Sequence, residues 1–307
     1  MASNEEKTGR LQVQSCYTNW SKSYFEEYLG ENAEYPPIHV SLIDTLLKDV
    51  NARIILDAGC GPASMIRLLH NDERSFFGFD LTPSMIDEAK KVGTELGISP
   101  ERFWVGDTCN PNAYSPPSGL NPENGYDAAV CSGVLPHLTY DEIGNVFENL
   151  HAAVIPGGRV IVEARNKLFS LFSFNRYSHE FILNDLIQAT DLKSSMNGLG
   201  IADDDVFEEI ERLFRTDLPP IRVSESNDAG YDEITSNTHN PLTLKPYFEQ
   251  HGFKNVAIDF YHFHPLPPIF KKQLPEVFRK FSIKMENSKD WRGHFMASAF
   301  LLSGDRE

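Results

Sequence analysis

A chain of 307 residues with 41% hydrophobic and 11% aromatic content is globular, and long enough for one large α/β domain with insertions or for two small ones. Its formal net charge of −16 disfavours a polyanion partner, because nucleic-acid binders carry a basic stripe. No apolar run approaches the ~20 residues of a membrane span, and the polar start MASNEEKTGR lacks the apolar core of a secretion signal. A cytoplasmic protein with no nucleic-acid or membrane partner is expected. The four cysteines (Cys16, Cys60, Cys109, Cys131) form no Cys-x-x-Cys pair and no zinc spacing, so reduced thiols are expected.

Residues 15–50 read as helical, with PPIHVSLIDTLLKDV carrying apolar positions at helical spacing. RIILD is a short apolar run, a buried strand, followed by AGCGPAS and the helix SMIRLLH, with Pro62 at the helix start. FFGFD is a second strand, and TPSMIDEAKKVGTEL a helix with Thr82 as N-cap and Pro83 at its first position. RFWVGD is a third strand. Residues 108–125, rich in Pro, Asn, Gly and Ser, form a long loop. YDAAVCSG is a fourth strand, YDEIGNVFENLHAAV a helix closed by the turn PGG, and GRVIVEA a fifth strand. This alternation is the signature of a parallel sheet with helices on both faces.

After Ala164 the alternation stops. Residues 166–240 hold helical pieces and no clear strand, and 216–240 read as loop. The pattern resumes with the helix LKPYFEQHGF, the strand NVAIDFYHF, the helix PEVFRKFSIKM and the final strand GHFMASAFLLS. One domain is expected over 1–307, with a helical lid at 1–50 and a helical cap insertion at 166–240.

LDAGCGPAS carries most information. A buried strand ends at Asp57, and the glycines Gly59 and Gly61 let the backbone bend sharply and approach a ligand. Asp80 ends the next strand, where a carboxylate can accept both hydroxyls of a ribose, and Asp107 ends the third. A pyrophosphate belongs on a helix N-terminus, but Asp57 opposes an anion there, and the third glycine of a dinucleotide fingerprint would fall at Ser64. Asp57 suits a ligand with an ammonium and a sulfonium. S-adenosylmethionine has both and no phosphate.

These motifs resemble those of the class I S-adenosylmethionine-dependent methyltransferases, over about 56–164 and 241–303. LDAGCGP is similar to the family's first motif, with Ala63 where many relatives have Gly. The resemblance implies a seven-stranded sheet of order 3-2-1-4-5-7-6 with the last strand antiparallel. It implies Asp80 as the ribose acid, Leu81 and Met85 against adenine, and Asp107, beside Thr108, facing the adenine amino group. Cys131 and Ser132 would pass the methionine end of the donor. Tyr17, Trp20, Tyr24 and Tyr28 resemble the lids of small-molecule methyltransferases, with Tyr24 a cofactor candidate; aromatics that simply cover the sheet fit equally.

Methyl transfer from a sulfonium needs alignment and exclusion of water more than activation, and no metal. A base helps where the nucleophile is a hydroxyl or ammonium. His137 lies just past the fourth strand and is either that base or a packing residue. His262 and His264, at strand spacing, are further candidates. Glu163, Arg165 and Asn166 leave the carboxyl end of the fifth strand, where open α/β sheets bind ligands. They contact substrate, or Glu163 and Arg165 pair to hold the insertion down. Arg165, Lys167 and Arg176, with Tyr177, stand against the acidic background. They suit a small-molecule acceptor with an anionic handle, a carboxylate or sugar phosphate; an apolar phenol or amine is the rival. The acids at 203–205 fit a helix N-terminus. A monomer or homodimer is expected. Binding of the donor without catalysis, in a regulatory or scaffold role, is the alternative, and a nicotinamide oxidoreductase a more distant one.

Overall fold

The computed structural model describes residues 4–21, 23–29, 36–117, 119–199, 204–219, 230 and 233–307. Three helices come first: α1 (Asn4–Trp20), α2 (Tyr24–Tyr28) and α3 (Ile38–Asp49). Alternation follows through β1 (Ile54–Ala58), α4 (Ser64–Leu69), β2 (Ser75–Asp80), α5 (Pro83–Glu95), β3 (Phe103–Val105), β4 (Tyr126–Cys131), α6 (Tyr140–Ala153) and β5 (Val154–Arg165). Then come α7 (Ser170–Ser173), α8 (Arg176–Phe181), α9 (Ala189–Gly198), α10 (Asp204–Arg212), α11 (Pro241–Gln250), β6 (Phe253–Phe263), α12 (Pro275–Met285), α13 (Gly293–Met296) and β7 (Ala297–Arg306).

The seven strands form one sheet of order β3-β2-β1-β4-β5-β7-β6, the expected order. β1 pairs in parallel with β2 and β4, β2 with β3, and β4 with β5, while β7 runs antiparallel to β5. The central strands read as continuous apolar runs because parallel strands are buried on both faces. Ile55, Leu56, Ala128, Ala129, Val160, Ile161 and Val162 are all fully buried. This places the carboxyl ends of β1 to β4 side by side, where loops have to supply the chemistry. No helix among the described residues is long and apolar enough to cross a membrane.

Several boundaries differ from expectation, each for a local reason. α1 starts well before residue 15, in a polar stretch without apolar periodicity. Pro62 does not start α4; Ala63 intervenes as N-cap in the left-handed region (φ 58°) and α4 begins at Ser64. A side chain there costs roughly 1–2 kcal/mol, which is why glycine suits this position. Thr82 does cap α5 with Pro83 following, though its side chain makes no capping bond. β3 ends at Val105, two residues before Asp107. β5 starts at Val154, with Pro156–Gly158 inside its span, and β7 starts only at Ala297 because 293–296 coil into α13.

The chain divides into two compact units. One comprises residues 1–165, 222–259 and 299–307, and the other 166–221 and 260–298. The region expected as one insertion, 166–240, is therefore not one block. Within the second unit Asn166 acts as a hub. It is 2% exposed, its amide donates to the carbonyls of Gly293, His294 and Ala297 (3.1, 2.9 and 2.8 Å), and its Oδ1 accepts from Leu168 N (3.0 Å). Both amide hydrogens are thus committed to backbone. Removing the donor leaves buried carbonyls unmet, so Asn166→Ala should cost about 2–4 kcal/mol of stability. Asn166→Asp should cost at least as much at neutral pH, because it turns a carboxylate toward those carbonyls. Chemical denaturation of the three proteins checks this; equal midpoints would refute it.

Candidate active site

The first unit holds a cavity at the carboxyl ends of β1 to β4, roofed by residues of α1 and α2. It is lined by groups from each strand exit: Gly59 and Gly61 after β1, Asp80, Leu81 and Met85 after β2, Asp107 and Thr108 after β3, and Ser132, Gly133 and His137 after β4.

The β1 exit is a turn anchored on β2. The N–H groups of Gly59 and Cys60 both donate to the carbonyl of Phe79 (2.8 and 2.9 Å). Gly59 sits at φ 88°, and a Cβ there would lie 2.3 Å from Val134 Cγ2. Gly61 (φ 53°) faces open space: a Cβ there would meet nothing within 4 Å, so the backbone itself borders the cavity. Its N–H donates to Asp80 Oδ2 (3.0 Å), and Thr82 N donates to Asp80 Oδ1 (2.8 Å). Each Asp80 oxygen keeps acceptor capacity for a hydroxyl. Burial raises the Asp80 pKa, against those two backbone donors.

Asp57 lies behind the turn, 2% exposed, and neither of its oxygens has a hydrogen-bond partner. Burial first, and the nearby Asp80 second, push its pKa up to about 8. A buried carboxyl with no partner is costly unless a cation or a proton meets it. Cys131 is fully buried and the lining starts one residue later, at Ser132.

At the far end, Asp107 Oδ1 accepts from Cys109 N (2.9 Å) and Oδ2 pairs with Arg10 of α1 (2.7 Å). Arg10 also reaches Glu142 (2.9 Å), whose other oxygen completes a capping box with Thr139 at the start of α6. Burial opposes the Arg10 charge, but Asp107, Cys109 and Glu142 together hold its pKa above the ordinary guanidinium value. Gln14 Nε2 donates to the carbonyl of Leu81 (2.6 Å). None of Arg10, Gln14 and Glu142 stands out in the sequence, because their partners are distant along the chain.

His137 ends a short 3-10 turn. Its Nδ1 lies 2.7 Å from the carbonyl of Thr235 and its Nε2 2.9 Å from the Tyr17 hydroxyl. A carbonyl only accepts, so Nδ1 carries the hydrogen and Nε2 accepts from Tyr17 O–H. Burial lowers its pKa to about 4, opposed by the Thr235 bond and assisted by Arg165. The strip 235–239, expected as loop, clamps this turn: Asn237 N and Nδ2 donate to Pro136 and Leu138 carbonyls (2.7 and 2.8 Å). Tyr24 also lines the cavity, and Trp20 packs edge-on against Tyr17.

Glu163 turns to the β4 exit: its Oε2 accepts from Ser132 Oγ and from Gly133 N (2.9 Å), which fixes that loop. Arg165 donates to Ser236 Oγ (2.5 Å) and its charge reaches His137. The remaining candidates lie in the second unit. Arg176 stacks over the Tyr177 ring (5.0 Å) and donates to its hydroxyl (3.1 Å). His264 is buried, packs on Phe169 (4.6 Å), and burial with Lys271 and His262 pushes its pKa down to about 3. His262 sits at φ 56°, so the expected strand alternation with His264 breaks there. Asn166 is the backbone hub described above. The Tyr28 side chain and the acidic run 203–205 lie outside the described side chains.

Residues 55–158, which carry β1 to β4 and most of the cavity wall, match the family model described as a methyltransferase domain. Among curated proteins there is no match. Similar solved structures include a SAM-dependent methyltransferase from Archaeoglobus fulgidus (13% identity, 87% of this chain and 94% of that one, TM-score 0.44). Another is the magnesium protoporphyrin IX methyltransferase from Synechocystis PCC 6803 with bound SAH (15%, 88% and 83%, TM-score 0.45). A third is an amino pentose methyltransferase from Micromonospora echinaspora (18%, 41% and 49%, TM-score 0.33). The family model shows a methyltransferase domain over residues 55–158, and the sheet order 3-2-1-4-5-7-6 is the one expected from the resemblance to the class I, S-adenosylmethionine-dependent methyltransferases.

Proposed function

We propose that the protein transfers a methyl group from S-adenosylmethionine to an oxygen or nitrogen of a small-molecule acceptor, with His137 Nε2 as the proton-accepting atom. The observation that carries this reading is the pairing of Tyr17 and His137 in the wall of the same cavity that holds the Gly59–Gly61 turn and Asp80. The donor, when bound, supplies a methyl group already activated on sulfur.

The donor set fits that group. Buried Asp57, with both oxygens unpartnered, is a counter-charge for a cation. Asp80 accepts hydroxyls, Leu81 and Met85 offer an apolar face, and the open Gly61 and Gly133 positions let backbone approach. The role of the chain is then to align and to exclude water. His137 is held in the tautomer that presents an Nε2 lone pair, and Tyr17 O–H already shares that lone pair. An acceptor hydroxyl or ammonium reaching this point hands its proton to Nε2, directly or through the Tyr17 oxygen. Arg165, whose charge is felt at His137, is the group that would read an anionic handle on the acceptor.

Release of S-adenosylhomocysteine across a panel of carboxylated, phosphorylated and apolar hydroxyl or amine acceptors tests the reaction. Calorimetric binding of the donor without turnover on any of them would favour the regulatory reading. With an acceptor in hand, His137→Gln should lower kcat about 10²–10⁴-fold, with Tyr17→Phe falling between it and wild type. Because the His137 pKa is lowered, kcat/KM should stay flat on its acid side down to about pH 5 and fall only near pH 4. A His137→Gln enzyme with unchanged kcat removes the base. Arg165→Glu should raise the acceptor KM at least tenfold and leave donor affinity alone; an unchanged KM points to the apolar acceptor.

Asp57 adds a stability signature. Its pKa is raised on folding, from 3.8 to about 8, so the folded state holds a proton that the unfolded chain releases. The Asp57 contribution to the stability of the ligand-free protein should therefore be full below about pH 4 and be lost as pH rises toward about 8, with Asp80 acting in the same direction. Asp57→Asn should flatten much of that decline in thermal melts. Identical slopes in both proteins would contradict it.

A further inference from the structure

α1 presents Arg10, Gln14 and Tyr17 at i, i+4 and i+7, which is one helical face. Each is fastened to the exit of a different strand. Arg10 holds Asp107 beyond β3 and Glu142 at the start of α6, Gln14 holds the Leu81 carbonyl beyond β2, and Tyr17 meets His137 beyond β4. Arg10, Val13 and Tyr17 are themselves part of the cavity wall. All these contacts join protein groups, so they form without help from any ligand atom.

The anchorage along α1 is uneven. Its described apolar anchor lies at the C-terminal end, where buried Cys16 packs with Ile234, Val13, Tyr17 and Trp20. Leu11, beside Arg10, is 66% exposed. Around Arg10 the fastening is ionic, and both anchors are rigid: Asp107 is fixed by Cys109 N, and Glu142 by its capping box. The planar guanidinium fork suits two carboxylates at once, which lysine cannot match. The Arg10 side chain is 29% exposed, so dissolved salt reaches the pair.

We infer that Arg10 is a positioning residue whose ion pairs latch α1 across the donor pocket, so that donor and product pass only when those pairs open. This rests on the reading of the cavity as the donor site. A latch slows passage both ways, whereas a ligand-contacting residue acts on departure alone. The two are therefore separable by kinetics.

Stopped-flow binding of S-adenosylhomocysteine to the full chain, followed by displacement with S-adenosylmethionine, gives both rates. Arg10→Met should raise kon and koff together, each about tenfold, the scale expected for losing two partly exposed ion pairs, with Kd within about threefold of wild type. Arg10→Lys should lie between. Wild-type rates should rise with salt from about 0.05 to 0.5 M, where the screening length falls from above 10 Å to a few ångströms, and Arg10→Met rates should not. A rise in koff with kon unchanged, or no change in either, overturns the latch. If Arg10→Met fails to fold, Arg10→Lys and the wild-type salt profile still decide, because a flat wild-type profile also overturns it. Wild-type protein that binds neither compound removes the donor reading and the latch together; wild-type binding with unmoved variant rates removes the latch alone.

Discussion

The carbonyl of Phe79 accepts two N–H groups, from Gly59 and Cys60, and the geometry of the cavity follows from that fork. It ties the turn after β1 to β2 before any side chain takes part. With the turn so placed, Gly61 N comes within reach of Asp80, and that carboxylate is oriented by the turn it faces. Gly59 is also brought so close to Val134 that no Cβ fits. Three strand exits thereby share one small volume. Gly59 is needed for space as well as for positive φ, Gly61 for positive φ alone, and the tightness at Gly59 follows from the fork. Ala63 shows the limit of that need: it holds a left-handed conformation at a fully buried position, where a larger side chain would meet both strain and core.

The parts legible in the sequence are those built on backbone geometry and apolar burial. RIILD, FFGFD and YDAAVC are runs of buried residues on parallel strands, and they fall in β1, β2 and β4. Gly59, Gly61, Asp80 and Asp107 meet in one cavity because each lies at or just past a strand exit, where the topology leaves few alternatives. Boundaries fail where backbone conformation changes without a change in hydropathy. The stretch GHFM looks apolar enough for a strand, yet 293–296 turn into α13, where a Cβ on Gly293 would lie 2.4 Å from Phe260.

What the sequence hides is polar and long-range. α1 packs through Arg10, Gln14 and Tyr17, and polar contacts leave no periodic apolar signature. The strip 235–239 reads as loop because its work is done by backbone and amide groups on the His137 turn. Strand alternation puts Glu163 and Arg165 on the same side of β5, but it cannot say which partner each finds. One orders Ser132 and Gly133, and the other lies against Ser236 with its charge toward His137. Likewise His262 and His264 share a strand spacing that a single left-handed residue undoes.

The net charge of −16 would by itself hold a histidine protonated and a carboxyl ionised less readily. For His137 the opposite holds: its pKa falls to about 4. The reason is range. Beyond ~8 Å of solvent the surface charge is screened, whereas burial acts on the ring itself and Arg165 is near enough to lower its pKa further. The same desolvation drives Asp57 the other way, up to about 8. Burial thus keeps the His137 ring and the Asp57 carboxyl behind it neutral together, one by losing a proton and one by keeping it. The Arg10–Asp107 pair in the same wall is charged but mutually compensated, so attraction of cations from a distance is a property of the acidic surface. Attraction at the surface and neutrality in the wall are separate properties, set by different residues, and a substitution in one need not disturb the other.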